Sequence, residues 1–282
     1  MTYLLSSLSF GGLLFLVTAG FCLIFGIMRV PNLAHGGFFM LGAYVGVAAL
    51  RAGLPFPLAV LAGGLATAAL GAVFEAGVLR RIGNNEDAQV LATVGLALII
   101  GDSILTVWGG NPLRAPAPEA LRTSIQLAGA FFPAYRLAVL LVSVLIAVLL
   151  WLLIERTRLG AMLRAGVDDL KMTRALGISV PLLFSGTFAF GSCLAGVAGV
   201  LAAPILSAYP GMDFDMLPLA LVVVVLGGMG SLLGAFVGSF LVAAVYVVGP
   251  VLFPEFAYVI LFLPMMIVMA IRPQGLFGSA SH

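Results

Sequence analysis

The stretch LAVLLVSVLIAVLLWLLI, Leu137 to Ile154, decides the fold. It carries no charged side chain over 18 residues. A bilayer core of about 30 Å takes roughly 20 helical residues at 1.5 Å each, so a run of this kind reads as a membrane helix. A membrane barrel would instead show segments of about ten residues that alternate in polarity. The run does not alternate, and a helix is the remaining way to satisfy the backbone inside lipid. Working outward, similar runs lie near 4–28, 30–50, 54–79, 88–108, 183–206, 217–248 and 256–271. The whole chain follows the same pattern. It has 282 residues, 62% of them hydrophobic and 9% charged, against roughly 25% charged in an ordinary soluble domain. Mean hydropathy is +1.22. The expected fold is an all-α, polytopic transmembrane helical bundle. It would form a single domain over 1–282, with about eight crossings and one or two broken or re-entrant helices.

Several function classes are excluded by the same letters. The single lysine, Lys171, does not follow a glycine, so the phosphate-binding pattern GxxxxGK[ST] is absent. A net charge of +2 gives no footprint for nucleic acid. His35 and His282 are the only histidines, and Cys22 and Cys193 both lie in apolar runs, so neither a metal cluster nor a disulfide framework is expected. No spacing pairs a nucleophile with a base, and no enzyme site is expected. The start, MTYLLSSLSFGG, lacks a basic n-region and reads as the beginning of the first membrane helix.

Basic residues set the orientation. Arg80, Arg81, Arg156, Arg158, Arg164, Lys171, Arg174 and Arg272 fall on one side of the bundle, which is therefore cytoplasmic. Three crossings before Arg80 put the N-terminus outside. To return Arg272 to the cytoplasm, 217–271 must cross an odd number of times. The run 217–248 is too long for one plain helix and is split by Gly227-Gly228-Met229-Gly230-Ser231. Residues 40–46, MLGAYVG, and 232–238, LLGAFVG, look alike. Paired glycine-interrupted segments of this kind point to a transporter's central pathway, although common residues alone could produce the match.

Three places could carry function. In 25–46, FGIMRVPNLAHGGFFMLGAYVG, Pro31 interrupts the helix and leaves Asn32, His35 and Gly36 in an apolar run. They either line a pathway or satisfy backbone groups freed by the break. In 227–238, Gly227, Gly228, Gly230 and Ser231 either pack helices tightly or expose backbone to a substrate. The stretch 155–182 holds the densest charge in the chain. There Asp168 reads as the N-cap of a short helix, Asp169 favours its positive end, Lys171 lies inside it, Arg174 favours its far end, and Gly177 closes it. Together with Arg164 this describes a cytoplasmic docking helix or a helix lying on lipid headgroups. Asp102 is an intramembrane acid and a candidate for the pathway, whereas Glu75 lies about one turn from Arg80 and can reach the interface. Asp213 and Asp215 are expected to cap a helix beginning near Met216.

At these residues the sequence resembles the permeases of branched-chain amino acid (Liv-type) ABC importers. The similar stretches are VPNLAHGGFFMLGAYVG, LRAGVDDLKMTRALGISV, FAFGSCLAGVAGVL, GGMGSLLGAFVGSFL and the RPQGLFG ending. Where the family more often has Ile-Asn-Phe before Ala-His-Gly, this chain departs at Val30-Pro31-Asn32. The resemblance implies a multi-pass subunit of the bacterial inner membrane that binds no cofactor itself. ATP would be bound by two cytoplasmic ATPase subunits docked on 155–182. A second, related permease and a periplasmic binding protein would complete the assembly within the lipid bilayer. The implied cargo is a branched-chain amino acid, with urea or short amides as the alternative. A stand-alone channel or secondary transporter is the rival of a different class.

Overall fold

A computed structural model describes residues 2–28, 30–83, 85–127, 130–168 and 170–278. Nine helices of the bundle lie among them: α1 (Thr2–Met28), α2 (His35–Arg51), α3 (Phe56–Ile82), α4 (Glu86–Trp108), α5 (Ala134–Arg156), α8 (Val180–Leu206), α9 (Met212–Gly227), α10 (Leu232–Leu252) and α11 (Ala257–Ile271). Two short helices, α6 (Arg158–Asp168) and α7 (Leu170–Ala175), fill the connection between α5 and α8. Among the described residues six helices are long and apolar enough to cross a membrane, namely α1, α3, α4, α5, α8 and α10. The protein is an all-α, multi-pass membrane protein. The run 217–248 is two helices, α9 and α10, parted at the glycines of 227–231.

Charge, rather than a visible bilayer, assigns the two sides, and contacts agree with it. The Arg80 guanidinium at the end of α3 reaches the Pro181 carbonyl at the start of α8. On the opposite side Leu113 and Ala208 exchange backbone hydrogen bonds of 2.7 and 2.9 Å, tying the connection after α4 to the one after α8. That connection also holds a small hairpin, β1 (Ser124–Leu127) paired with β2 (Ala130–Pro133), which sequence periodicity did not suggest.

Helix α1 is the centre of the bundle. Its apolar window is 78% buried, against 17% for α5 at the periphery. Lipid tails are as apolar as leucine, so helices in a membrane associate by close packing rather than by hydrophobic exclusion. Small residues provide that packing here. A Cβ on Gly42 of α2 would collide with the backbone of Gly196 in α8, and one on Gly46 would lie 2.6 Å from Val200. The look-alike motif repeats the device in another orientation. Gly234 of α10 sits against the Gly227 backbone, and Gly238 against Val223. The partner numbers rise together in the first pair and fall in the second, so α2–α8 run parallel and α9–α10 antiparallel. The two motifs share a way of packing but not a topology.

Candidate functional site

The break before α2 builds the most polar point in the core. Pro31 has no N–H, and its carbonyl accepts from the Leu33 N–H at 3.1 Å in a tight turn. That same N–H also donates to Thr93 Oγ1 of α4 at 3.3 Å, which pins the turn to a neighbouring helix. The Asn32 carbonyl accepts from the His35 N–H at 3.2 Å, and α2 starts there. The His35 ring is fully buried beside Phe21 in an edge-on contact, and its Nε2–H donates 2.8 Å to the Val17 carbonyl of α1. That bond leaves Nδ1 as an acceptor, and it has no partner among the described residues. Asn32 is also fully buried, with neither its amide oxygen nor its nitrogen bonded. Gly36 lies against the Asp213 carbonyl in the first turn of α9, 2.6 Å from where a Cβ would stand. One oxygen of the buried Asp213 carboxyl is unpaired as well. Leaving a buried polar atom unpaired costs about 1–3 kcal/mol. Four such atoms lie on the two segments that Gly36 brings into contact. Helix α9 starts at Met212, earlier than the sequence suggested, so Asp213 and Asp215 lie inside its first turn and Gly211 holds the N-cap position.

The glycine turn between α9 and α10 is held from three directions. Gly26 of α1 packs against Gly230, where an added Cβ would stand 2.6 Å from the Gly230 Cα. Ser231 caps α10 by accepting from the Gly234 N–H at 3.0 Å. The RPQGLFG ending folds back under the turn. There the Leu276 N–H donates to the Leu226 carbonyl at 2.9 Å and the Phe277 N–H to the Gly227 carbonyl at 3.0 Å. Two of the carbonyls left over at the end of α9 are thus satisfied by the far end of the chain. Gly228 and Gly230 have φ of 100° and 84°, a region that side chains other than glycine rarely adopt. A cavity of about 400 Å³ opens between this turn, Gly26, Arg164 and Phe277.

The two intramembrane acids are placed differently. Asp102 is exposed on α4, away from the other candidates, between the exposed Ile99 and Leu105. Glu75 is 2% exposed and pairs with Arg80 at 3.2 Å.

The family model for the permease component of branched-chain amino acid transport systems matches residues 3–269. The chain belongs to that family. It is 29% identical to the high-affinity branched-chain amino acid transport permease BraD of Pseudomonas aeruginosa, over 98% of this chain and 94% of that one. It is 25% identical to LivH of Escherichia coli, over 93% and 90%. Among solved structures, PsaBC from Streptococcus pneumoniae in complex with Fab shares the fold, with a TM-score of 0.51 at 16% identity, over 95% of this chain and 88% of that one.

In this permease the segment 155–182 is two helices rather than the expected one. Arg158–Asp168 was not legible as a helix, because Gly160 and Gly166 lower its propensity, although Thr157 caps its start by accepting from the Gly160 N–H at 3.2 Å. The Thr173 hydroxyl of α7 donates to the Ala165 carbonyl of α6 at 2.9 Å, joining the two. Gly177 takes a φ of 80°, and the Ile178 N–H reaches back to the Thr173 carbonyl at 3.3 Å, the closing pattern of a Schellman motif. Arg164 hydrogen-bonds the Ile154 carbonyl and lies 3.5 Å from Glu155, folding α6 against the end of α5. Asp169 and the side chains of Asp168, Lys171 and Arg174 lie outside the described residues. Met172 and Leu176, one turn apart, are 59% and 70% exposed.

Proposed function

We propose that this permease is one of two membrane subunits of an ATP-driven importer for branched-chain amino acids in the bacterial inner membrane. The observation that carries the reading is the α6–α7 pair. It is a closed helical unit on the basic side of a chain with no nucleotide motif, and it presents Met172 and Leu176 outward. A cytoplasmic ATPase subunit docked on that pair would supply the energy. Nucleotide closure would move α6–α7, and α8 follows directly from α7. The permease would then shift between outward-open and inward-open states. A periplasmic binding protein would deliver its cargo to the connections 109–136 and 207–216. The chain itself catalyses no reaction in this scheme. Asn32, His35 and Gly36 would line the moving polar junction, and Gly227, Gly228, Gly230 and Ser231 its cytoplasmic neighbour. A related second permease would complete the pathway, with Asp102 facing outward from the bundle.

Co-purification tests the docking. The permease and the ATPase subunits encoded beside it are expected to elute together, and Met172→Glu with Leu176→Glu should abolish that without lowering membrane insertion. Retention of the ATPase by the double variant would refute docking on this face.

A further inference from the structure

The buried acid Glu75 belongs to neither the polar junction nor the docking surface, yet among the described residues it is the most elaborately held charge in the bundle. It sits in a π turn, Glu75–Leu79, where α3 takes one extra residue before its final turn. Such turns are rare and gather at functional sites. The carboxylate accepts from the Arg80 guanidinium at 3.2 Å and from the Ser185 hydroxyl of α8. Arg80 also donates to Ser185 Oγ at 2.5 Å and to the Pro181 carbonyl at 3.3 Å. The cluster therefore joins the cytoplasmic end of α3 to the first two turns of α8.

Its position along the helix pair matters. Between Gly63 and Gly71, glycines hold α3 and α8 close: a Cβ on Gly196 would stand 2.8 Å from the Gly63 carbonyl oxygen, and one on Gly71 would stand 2.5 Å from Ser192 Oγ. Past the Phe74–Phe188 ring contact the glycines no longer interlock: among the described residues a Cβ added to Gly77 of α3 or to Gly186 of α8 would meet no atom within 4 Å. Gly186 instead borders an apolar cavity of about 480 Å³ whose other wall is Leu159, Met162 and Leu163 of α6. The first turns of α8 thus have room to move beside the docking segment, and the polar cluster is what ties them to α3.

We infer that Glu75 and Arg80 form a coupling clamp, which transmits displacement of α6–α7 through the start of α8 to α3. This rests on the importer reading above. The clamp makes both residues positioning residues rather than substrate contacts. Lysine at position 80 would still neutralise Glu75, but a single ammonium cannot match the guanidinium's fork across Glu75, Ser185 and Pro181.

The test uses the full complex of permeases, ATPase subunits and binding protein in proteoliposomes, measuring amino acid taken up per ATP hydrolysed. Arg80→Lys and Glu75→Gln are each expected to lower that ratio at least five-fold while the complex still assembles. A purely structural ion pair would reduce the amount of complex but leave the ratio of the surviving complex unchanged. If Glu75→Gln fails to accumulate, Arg80→Lys, which leaves no buried charge unpaired, decides alone. A wild-type ratio in Arg80→Lys overturns the clamp and leaves the importer reading standing. A wild-type complex in which ATP drives no uptake overturns the importer reading, and the clamp with it.

Discussion

Replacing Gly42 by alanine should destabilise this permease more than any other single methyl added to α2 or α4. The added Cβ would stand 2.7 Å from the Gly196 carbonyl carbon, with the Cα and oxygen of Gly196 closer still. Carbon atoms prefer about 3.5–4.0 Å, so α2 and α8 must part by roughly 1 Å. Gly196 cannot yield, because Gly63 and Thr67 of α3 press on its other side. Overpacking of this kind costs typically 1–3 kcal/mol, and alanine recovers roughly 0.5–1 kcal/mol in helix propensity. The net loss is about 1.3 kcal/mol, roughly eight-fold in the folded-to-unfolded ratio at about 1.4 kcal/mol per factor of ten. Gly95→Ala on α4 is the control, since nothing lies within 4 Å of its Cβ position, and it should be neutral or slightly stabilising. The assay is unfolding of the purified chain in mixed micelles with increasing denaturing detergent, followed by tryptophan fluorescence. A Gly42→Ala transition within about 0.5 kcal/mol of the control would refute the claim that backbone contact at Gly196 joins α2, α3 and α8.

Other consequences can be checked alongside. Thr93→Val removes the side-chain acceptor of the Leu33 N–H at the break before α2 but leaves it the Pro31 carbonyl; hydrogen exchange at Leu33 should rise, with about 0.5–1.5 kcal/mol lost in the same unfolding assay. Truncation before Gln274 strips the Leu226 and Gly227 carbonyls of their donors, and exchange should accelerate across 227–231 while α1 stays protected. His35→Leu deletes the Val17 hydrogen bond and the unpaired Nδ1 together; it should impair uptake while leaving assembly intact, and unchanged uptake would make the histidine purely structural.

The bundle was legible because membrane helices write their length and apolarity directly into the sequence. Runs such as 137–154 became helices with ends only a few residues away, and the glycines of 227–231 marked a real turn. What could not be read depends on three-dimensional partners. The π turn at Glu75 adds one residue to a helix without altering its apolar pattern, so nothing in the letters showed that Glu75 would face Ser185, 110 positions away. The similarity of 40–46 to 232–238 was visible, but the opposite orientations of their partner helices were not. The RPQGLFG ending carried only a resemblance, and its role in closing α9 rests on hydrogen bonds to Leu226 and Gly227, about 50 positions earlier. Thr93 carries no sequence signal at all; it matters because Pro31 frees a neighbouring amide.

The central claim is that ATP hydrolysis by docked subunits drives branched-chain amino acid movement through this chain. Uptake of labelled leucine into proteoliposomes holding the complete complex, with binding protein inside or outside according to orientation, tests it most directly. The account predicts accumulation that requires ATP, the ATPase subunits and the exposed Met172–Leu176 face, and that isoleucine and valine compete away while urea does not. Leucine flux through the permease alone, unaltered by ATP or by removal of the ATPase subunits, would contradict it.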